Sequence, residues 1–292
     1  CHLQPDPSNA IRLALKKFAV ENNLHIFDQQ QNNGFIRNII IRNTINGQWM
    51  VLVTFHHESS LIEKTLAFLQ NEFPEIVSLF YVINPDFSDI ITNHQAIHFH
   101  GKTHIDEEME GLQFKISPKS FYQPNAQQAL TLYRVAREFA GLTGNEIVYD
   151  LYTGTGTIAN FVASKSKKVV GIDYVNEAID DARTNSKNNK IENTVFYAGD
   201  MKMVLDEELI FNEGRPDVII TDPPRAGMHK EVINVILKVH PERIVYVSCN
   251  PSTQVRDINQ LKEKYKLIRI QPVDMFPQTY HVENVALLER FG

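Results

Sequence analysis

From residue 120 onward, short apolar runs rich in β-branched residues alternate with amphipathic stretches. No other feature constrains the fold as strongly. Strands are expected over 146–150, 168–173, 194–197, 217–221, 243–248, 267–273 and 284–288. Helices are expected over 124–140, after the glycine-rich loop, up to about Asn189, between the strands ending at 197 and beginning at 217, after Gly227, and after Ser248. That order predicts an α/β fold with a mostly parallel sheet and helices on both faces. Ligands in such sheets sit outside the carboxyl ends of the strands. Three of those ends carry chemistry here: Asp150, Thr221-Asp222 and Ser248-Cys249.

The first 119 residues have a different texture. A helix is expected over 8–21, with Ser8 or Asn9 as its cap and Ile11, Leu15 and Phe18 on one face. The apolar runs 35–42 and 49–55 flank Asn46-Gly47, a hairpin signal. A helix over 60–71 and a strand over 76–83 follow. This reads as a smaller mixed α/β domain, 1–119, preceding the larger α/β domain, 120–292. In the alternating stretch Ile97-His98-Phe99-His100 both histidines share one strand face. With His94 and His104 they lack nearby cysteines and the helical His-Glu-x-x-His spacing, so they read as strand histidines and no metal is expected.

Composition narrows the classes. The chain has 292 residues, 43% hydrophobic and 22% charged, the profile of a globular protein. No apolar run approaches the ~20 residues of a membrane span, and no signal-peptide pattern is present, so a cytoplasmic location is expected. Two cysteines cannot make a disulfide framework. The chain begins with Cys1, which suggests a piece of a longer protein. Net charge is −6 and neither half is basic, so bulk charge does not advertise nucleic acid. The local groups Lys165, Lys167, Lys168 and Lys187, Lys190 read as solvated helix ends or loops.

The run Asp150-Leu151-Tyr152-Thr153-Gly154-Thr155-Gly156-Thr157 places glycines at a strand-to-helix turn. Backbone there can approach a ligand closely. Asp173 ends the next strand, 19 residues after Gly154, where a carboxylate can accept ribose hydroxyls. This much also fits a dinucleotide site. The stiff turn Asp222-Pro223-Pro224-Arg225-Ala226-Gly227 follows another strand and fixes its aspartate. It resembles the Asp-Pro-Pro-aromatic loop of amino-directed methyltransferases, with Arg225 in the aromatic place, where a guanidinium can pair with carboxylate or phosphate. In Tyr246-Val247-Ser248-Cys249-Asn250-Pro251-Ser252-Thr253 a cysteine sits at a strand tip beside a helix start, a position that can favour the thiolate.

Together these motifs closely resemble the RNA uracil-5-methyltransferases that use S-adenosylmethionine, especially the bacterial 23S rRNA enzymes. Phe121-Tyr122-Gln123-Pro124-Asn125 is similar to the family's Phe-x-Gln-x-Asn segment, and Tyr280-His281-Val282-Glu283 to its terminal His-Val-Glu. The motifs run in family order over the last ~170 residues, a highly specific combination, while residues 1–119 resemble the family's RNA-facing central domain. The family's N-terminal RNA-binding barrel is not seen in this sequence.

The resemblance implies a Rossmann-like class I methyltransferase domain and methyl transfer to C5 of an RNA uridine, expected in 23S rRNA. Cys249 would be the nucleophile at C6 and Glu283 the base that removes the C5 proton. Gln123, Tyr152, Thr157, Asp173, Asp200 and Asp222 would contact S-adenosylmethionine. Thr157 and Asp173 stand where some members have Asn and Glu. Cys1 could be one ligand of the iron–sulfur cluster some members hold, but one cysteine cannot hold a cluster, and none is expected. The rivals are a tRNA uracil-5 enzyme, an RNA cytosine-5 enzyme with the same thiol chemistry, an NAD-dependent oxidoreductase read from the glycine loop alone, and a non-catalytic RNA-binding factor with the same fold.

Overall fold

The computed structural model describes residues 3–291 and divides into two compact units. One runs to Glu108 and takes in Lys115–Ser120; the other joins Met109–Phe114 to the residues from Phe121 onward.

In the first unit, α1 (Ser8–Glu21) precedes the hairpin β1 (Ile36–Asn43) and β2 (Trp49–Phe55), then α2 (Leu61–Glu72), β3 (Ile76–Ile83) and β4 (Ile97–Gly101). The sheet order is β1-β2-β3-β4, antiparallel except for the β2–β3 pair that α2 connects. Ile11, Leu15 and Phe18 of α1 and Ile62, Leu66 and Leu69 of α2 pack on Trp49, Val51, Val53 and Leu79 of the sheet. Each such side chain, fully buried, contributes about 1.5–3 kcal/mol. The expected cap of α1 is not there: Pro7 holds the cap position without a side-chain bond, and the Ser8 hydroxyl donates to Gln4 Oε1 at 2.6 Å. His98 and His100 are both exposed on β4, as a two-residue period requires.

A hairpin that the sequence reading did not anticipate follows: β5 (Ile105–Met109) and β6 (Leu112–Ile116). Its run Asp106-Glu107-Glu108 hides the alternation of buried Ile105, Glu107 and Met109. Its turn residues Glu110 and Gly111 both have positive φ, the tight-hairpin geometry.

The second unit is a seven-stranded sheet. In chain order it comprises α3 (Ala126–Ala140), β7 (Ile147–Leu151), α4 (Thr157–Ala163), β8 (Lys168–Asp173), α5 (Asn176–Asn188), β9 (Thr194–Ala198), α6 (Met201–Val204), α7 (Glu207–Glu213), β10 (Val218–Thr221), α8 (Lys230–Val239), β11 (Arg243–Ser248), α9 (Pro251–Leu261), β12 (Tyr265–Val273) and β13 (Glu283–Arg290). The sheet order is β12-β13-β11-β10-β7-β8-β9, with β13 alone running against the rest. The central strands β7, β8, β10 and β11 are buried on both faces, as parallel strands between helices are, while the edge strand β12 is largely exposed. Val148, Val218, Ile220, Val245, Val247, Val285 and Leu287 meet α3, α4 and α5 on one face. Tyr149, Leu151, Ile219, Tyr246, Ala286 and Leu288 meet α6 to α9 on the other.

Two helix starts differ from expectation. Asn125 caps α3, accepting from Gln128 N at 3.3 Å, so Pro124 precedes the helix rather than entering its first turn. The single helix expected after β9 is two, because Asp206 starts a second one by accepting from Leu209 N at 2.8 Å.

The turn between β7 and α4 depends on glycine at two positions for different reasons. Gly154 (φ +55) has open space where a Cβ would stand, whereas a Cβ on Gly156 (φ +74) would come within 2.8 Å of the Ala182 Cβ. Gly156→Ala therefore adds a clash to the left-handed penalty. Chemical denaturation is expected to show a loss of roughly 3 kcal/mol for Gly156→Ala against about 1 kcal/mol for Gly154→Ala. Equal losses would mean that packing against α5 does not set the turn.

Candidate active site

The carboxyl ends of β7, β8, β10 and β11 open at one edge of the sheet. Because β13 is reversed, it brings its amino end to the same edge. The ladder ends with Ser248 opposite Asn284, so one further step sets Cys249 opposite Glu283. The alternation along both strands then puts both side chains on the face of Val247 and Val285.

A cavity of about 1390 Å³ lies at this edge. It exceeds the ~300–1,000 Å³ usual for one small-molecule site, so it has room for two ligands. Gln123, Tyr152, Asp173, Asp200, Asp222, Cys249 and Glu283 all line it. Thr157 does not: it begins α4 beneath the glycine loop, 7% exposed, with its hydroxyl 3.2 Å from that of Thr155.

The loop is tied down by two aspartates. Asp150 accepts from the Thr153 hydroxyl at 2.5 Å and from Ala159 N at 3.0 Å, joining the strand end to the first turn of α4. Burial pushes its pKa up to about 7. Asp173 accepts from Gly154 N through one oxygen and from Val175 N through the other, both at 2.9 Å. Each oxygen keeps a lone pair for a ligand hydroxyl. Gly154 also lines the cavity, so its bare Cα leaves ligand space. Asp200 is both the side-chain cap of α6, accepting from Lys202 N at 3.2 Å, and a lining residue. These groups fit a nucleoside with free hydroxyls.

The Asp222-Pro-Pro-Arg turn is held from α9. Asn250 Nδ2 and the Thr253 hydroxyl each donate to the Arg225 carbonyl at 3.2 Å. The Arg225 guanidinium makes no ion pair among the described residues; its Nη2 lies 3.4 Å from His281 Nδ1. The same helix reaches beneath the turn through Asp257, fully buried, which accepts from Met228 N at 2.8 Å and from the Tyr246 hydroxyl at 2.7 Å.

Asp222, Cys249 and Glu283 share an unusual electrostatic setting. Neither the Asp222 nor the Glu283 carboxylate has a hydrogen-bond donor among the described residues. Burial pushes Asp222 up to about 6. Burial, then the neighbouring Asp222, pushes Glu283 up to about 7. Burial, then Glu283 and Asp222, also raises the Cys249 thiol, against smaller help from its own backbone amide and Arg225. The expectation that the helix start would favour the thiolate is thus reversed: burial, joined by two nearby carboxylates, outweighs the amide. Gln123 is 6% exposed, and its amide too has no protein partner among the described residues. Such unpartnered buried groups are costly unless something else bonds them.

Other lining residues were not picked out from the sequence. Tyr174 follows Asp173 and is 74% exposed, a ring offered to solvent or ligand. Arg256 and Gln260 both face the cavity from α9. Their spacing of four was the available signal, but it is common on any helix.

A model of the tRNA (uracil-5-)-methyltransferase family matches residues 92–291. A Bacteroides thetaiotaomicron protein described as an uncharacterized RNA methyltransferase is 56% identical over 99% of this chain and 64% of its own length. One from Porphyromonas gingivalis, described in the same words, is 54% identical over 99% of this chain and 63% of its own. The chain thus spans less than two thirds of these relatives. Among solved structures, a Pyrococcus abyssi tRNA (uracil-54, C5)-methyltransferase in complex with S-adenosyl-L-homocysteine aligns at TM-score 0.76 and 30% identity, over 94% of this chain and 65% of that one. An M. jannaschii tRNA m1G37 methyltransferase shares the fold, at TM-score 0.58 and 14% identity. With its family match, its strand order and its paired cysteine and glutamate, the chain belongs to the tRNA (uracil-5-)-methyltransferase family.

Proposed function

We propose that this chain is the catalytic part of an enzyme that methylates C5 of a uridine in RNA, acting in the cytoplasm with S-adenosylmethionine as donor. The observation that carries this reading is the opposition of Cys249 and Glu283 on neighbouring strands at a cavity large enough for cofactor and base. The donor supplies a methyl group on a sulfonium. Gln123, Tyr152, Asp173, Asp200 and Asp222 hold it from the cavity wall, and Thr157 supports the loop from below. The target base enters flipped out of its stack, since both C5 and C6 must be reached.

Cys249 sheds its proton and its sulfur adds to C6, sending the C5–C6 π electrons toward O4. C5, now nucleophilic, takes the methyl as the sulfur–methyl bond breaks, its electron pair remaining on sulfur and a neutral thioether departing. Glu283 removes the C5 proton, the electrons restore the C5–C6 double bond, and the C6–S bond breaks to return the thiolate. Each turnover releases one proton. Covalent addition divides a hard substitution into easier steps. A base whose pKa lies near neutrality is matched to this task.

The RNA is proposed to be 23S rRNA, from the motif resemblance. The Pyrococcus neighbour, a tRNA enzyme, favours tRNA as the second reading. A trap separates them. The full-length protein is mixed with S-adenosylmethionine and 5-fluorouridine-containing 23S rRNA or tRNA transcript. Fluorine cannot leave C5 as a proton does, so a covalent adduct mapped to Cys249 is expected on one RNA. No adduct on either, with donor binding shown, would sink the reading.

Two variants give the roles. Cys249→Ala is expected to abolish transfer. Glu283→Gln is expected to slow turnover ~10²–10⁴-fold while protein–RNA adduct accumulates. Free thiol and free RNA after Glu283→Gln would assign the base elsewhere.

Glu283 also links folding to pH. Its folded pKa of about 7 lies above its ordinary 4.5, so the folded state binds the extra proton between those values. Its contribution is fully present below about 4.5 and is lost as pH rises through about 7. The melting temperature of the ligand-free protein is expected to fall over this window, less steeply in Glu283→Gln. Parallel curves for the two proteins would refute the shift.

A further inference from the structure

The first turns of α9 carry a buried contact to both active strands. Gln254 is 1% exposed and Asn284 7% exposed. Gln254 Nε2 donates to the Tyr246 carbonyl on β11 at 2.8 Å and to the Asn284 carbonyl on β13 at 3.2 Å. Gln254 Oε1 accepts from Asn284 Nδ2. One side-chain amide therefore bridges two strands, and its partner is the residue next to Glu283.

Both residues lie on the far face of the sheet from the reacting groups. Along β13, Val285 and Leu287 point to one face and Ala286 and Leu288 to the other. Glu283 shares the face of Val285, and Asn284 that of Ala286, where α9 packs. The β11–β13 ladder ends at Ser248 and Asn284, so no further ladder pair fixes Cys249 against Glu283. Beyond it the chain leaves β11 through Asn250, whose amide donates to the Ser248 hydroxyl at 3.1 Å. An amide shared between buried carbonyls on the two strands supplies, from behind, the restraint that the ladder stops providing.

We infer that Gln254 and Asn284 form a positioning clamp that holds the Cys249 and Glu283 strand ends in register for nucleophilic addition and proton removal. The inference rests on reading these two residues as nucleophile and base. It adds a role for a pair that touches neither ligand. Misplacement by about 1 Å can cost ~10²-fold in rate. A clamp of this kind should therefore affect turnover far more than binding. A residue that merely secured α9 would affect stability and leave the Cys249–Glu283 coupling alone.

The test measures that coupling without RNA or donor. In the full-length protein, alkylation of Cys249 by iodoacetamide is followed against pH by peptide mass spectrometry. Wild type and Glu283→Gln are compared, each with and without Gln254→Met, which keeps the side chain's length and removes its hydrogen bonds. Glu283→Gln is expected to lower the thiol midpoint in the native background, and by less than about half as much beside Gln254→Met. In parallel, with whichever transcript the wild-type enzyme methylates, Gln254→Met should lower kcat ~10–100-fold with KM for S-adenosylmethionine little changed.

Equal thiol shifts in both backgrounds would overturn the clamp, even if Gln254→Met lowered the melting temperature. Should Gln254→Met not fold, Gln254→Ser, which removes the bridge and leaves room for water to satisfy the two carbonyls, serves the same comparison. A wild type that methylates neither transcript but shows clamp-dependent coupling would leave the clamp standing and remove the assigned reaction. Methylation with coupling indifferent to Gln254→Met would do the opposite.

Discussion

The pairing of β13 against β11 is the constraint on which the site depends. Were β13 parallel to its neighbour, its amino end would lie at the far edge of the sheet, and Glu283 with it. Reversal brings a residue 34 positions later in the chain directly across from Cys249. Register does the rest. A slip of one residue would turn Glu283 to the α9 face and put Asn284 in its place, because strand side chains alternate. The ladder, the two apolar faces and the Gln254–Asn284 contact all enforce the same register. That agreement between levels is what makes a precise two-residue geometry affordable in a sheet this large.

The cavity shows the opposite tendency. Glu283, buried, and Asp222, half-buried, line it, and Asp150 lies buried behind the glycine loop; burial pushes all three carboxylates up to between about 6 and about 7. Asp150 at least holds the glycine loop through Thr153 and Ala159. Asp222 and Glu283 hold nothing in the protein. Folding would be easier with apolar residues there. Groups kept in so unfavourable a setting, with perturbed titration and a shared cleft, are the physical mark of a site that works on a ligand. The raised thiol of Cys249 belongs to the same field. A positive charge brought among these carboxylates would relieve both the carboxylate repulsion and the penalty on the thiolate.

Much of the second unit was legible because its strands are apolar runs and its helices amphipathic, two periods that do not overlap. Lys168–Asp173 and Arg243–Ser248 match expectation residue for residue. What escaped did so for local reasons. The hairpin around Glu110-Gly111 is built on Ile105-Asp106-Glu107-Glu108-Met109, whose central charges read as a loop, although Glu107 is fully buried and accepts from Ile45 N. The break between α6 and α7 turns on one capping aspartate. The reversal of β13 left no trace in its sequence, since Asn284–Leu288 reads as an apolar run in either direction.

Within the site, motif spacing gave Cys249, Asp222 and Asp173 their places at strand ends. It could not give their electrostatics. The thiol's environment depends on Glu283 and Asp222, which lie 34 residues after it and 27 before it in the chain. A helix start beside Cys249 was readable from Asn250-Pro251; the two carboxylates across the cavity were not. Thr157 shows the converse. Its motif position suggested direct contact, yet the sharp turn at Gly156 buries its hydroxyl against Thr155, where it shapes the loop from below. Gln254 and Asn284 carried no motif at all. Their meaning appears only when α9 is laid across β11 and β13, and a side chain that looked like an ordinary helix polar residue proves to join the two strands whose ends face the cavity.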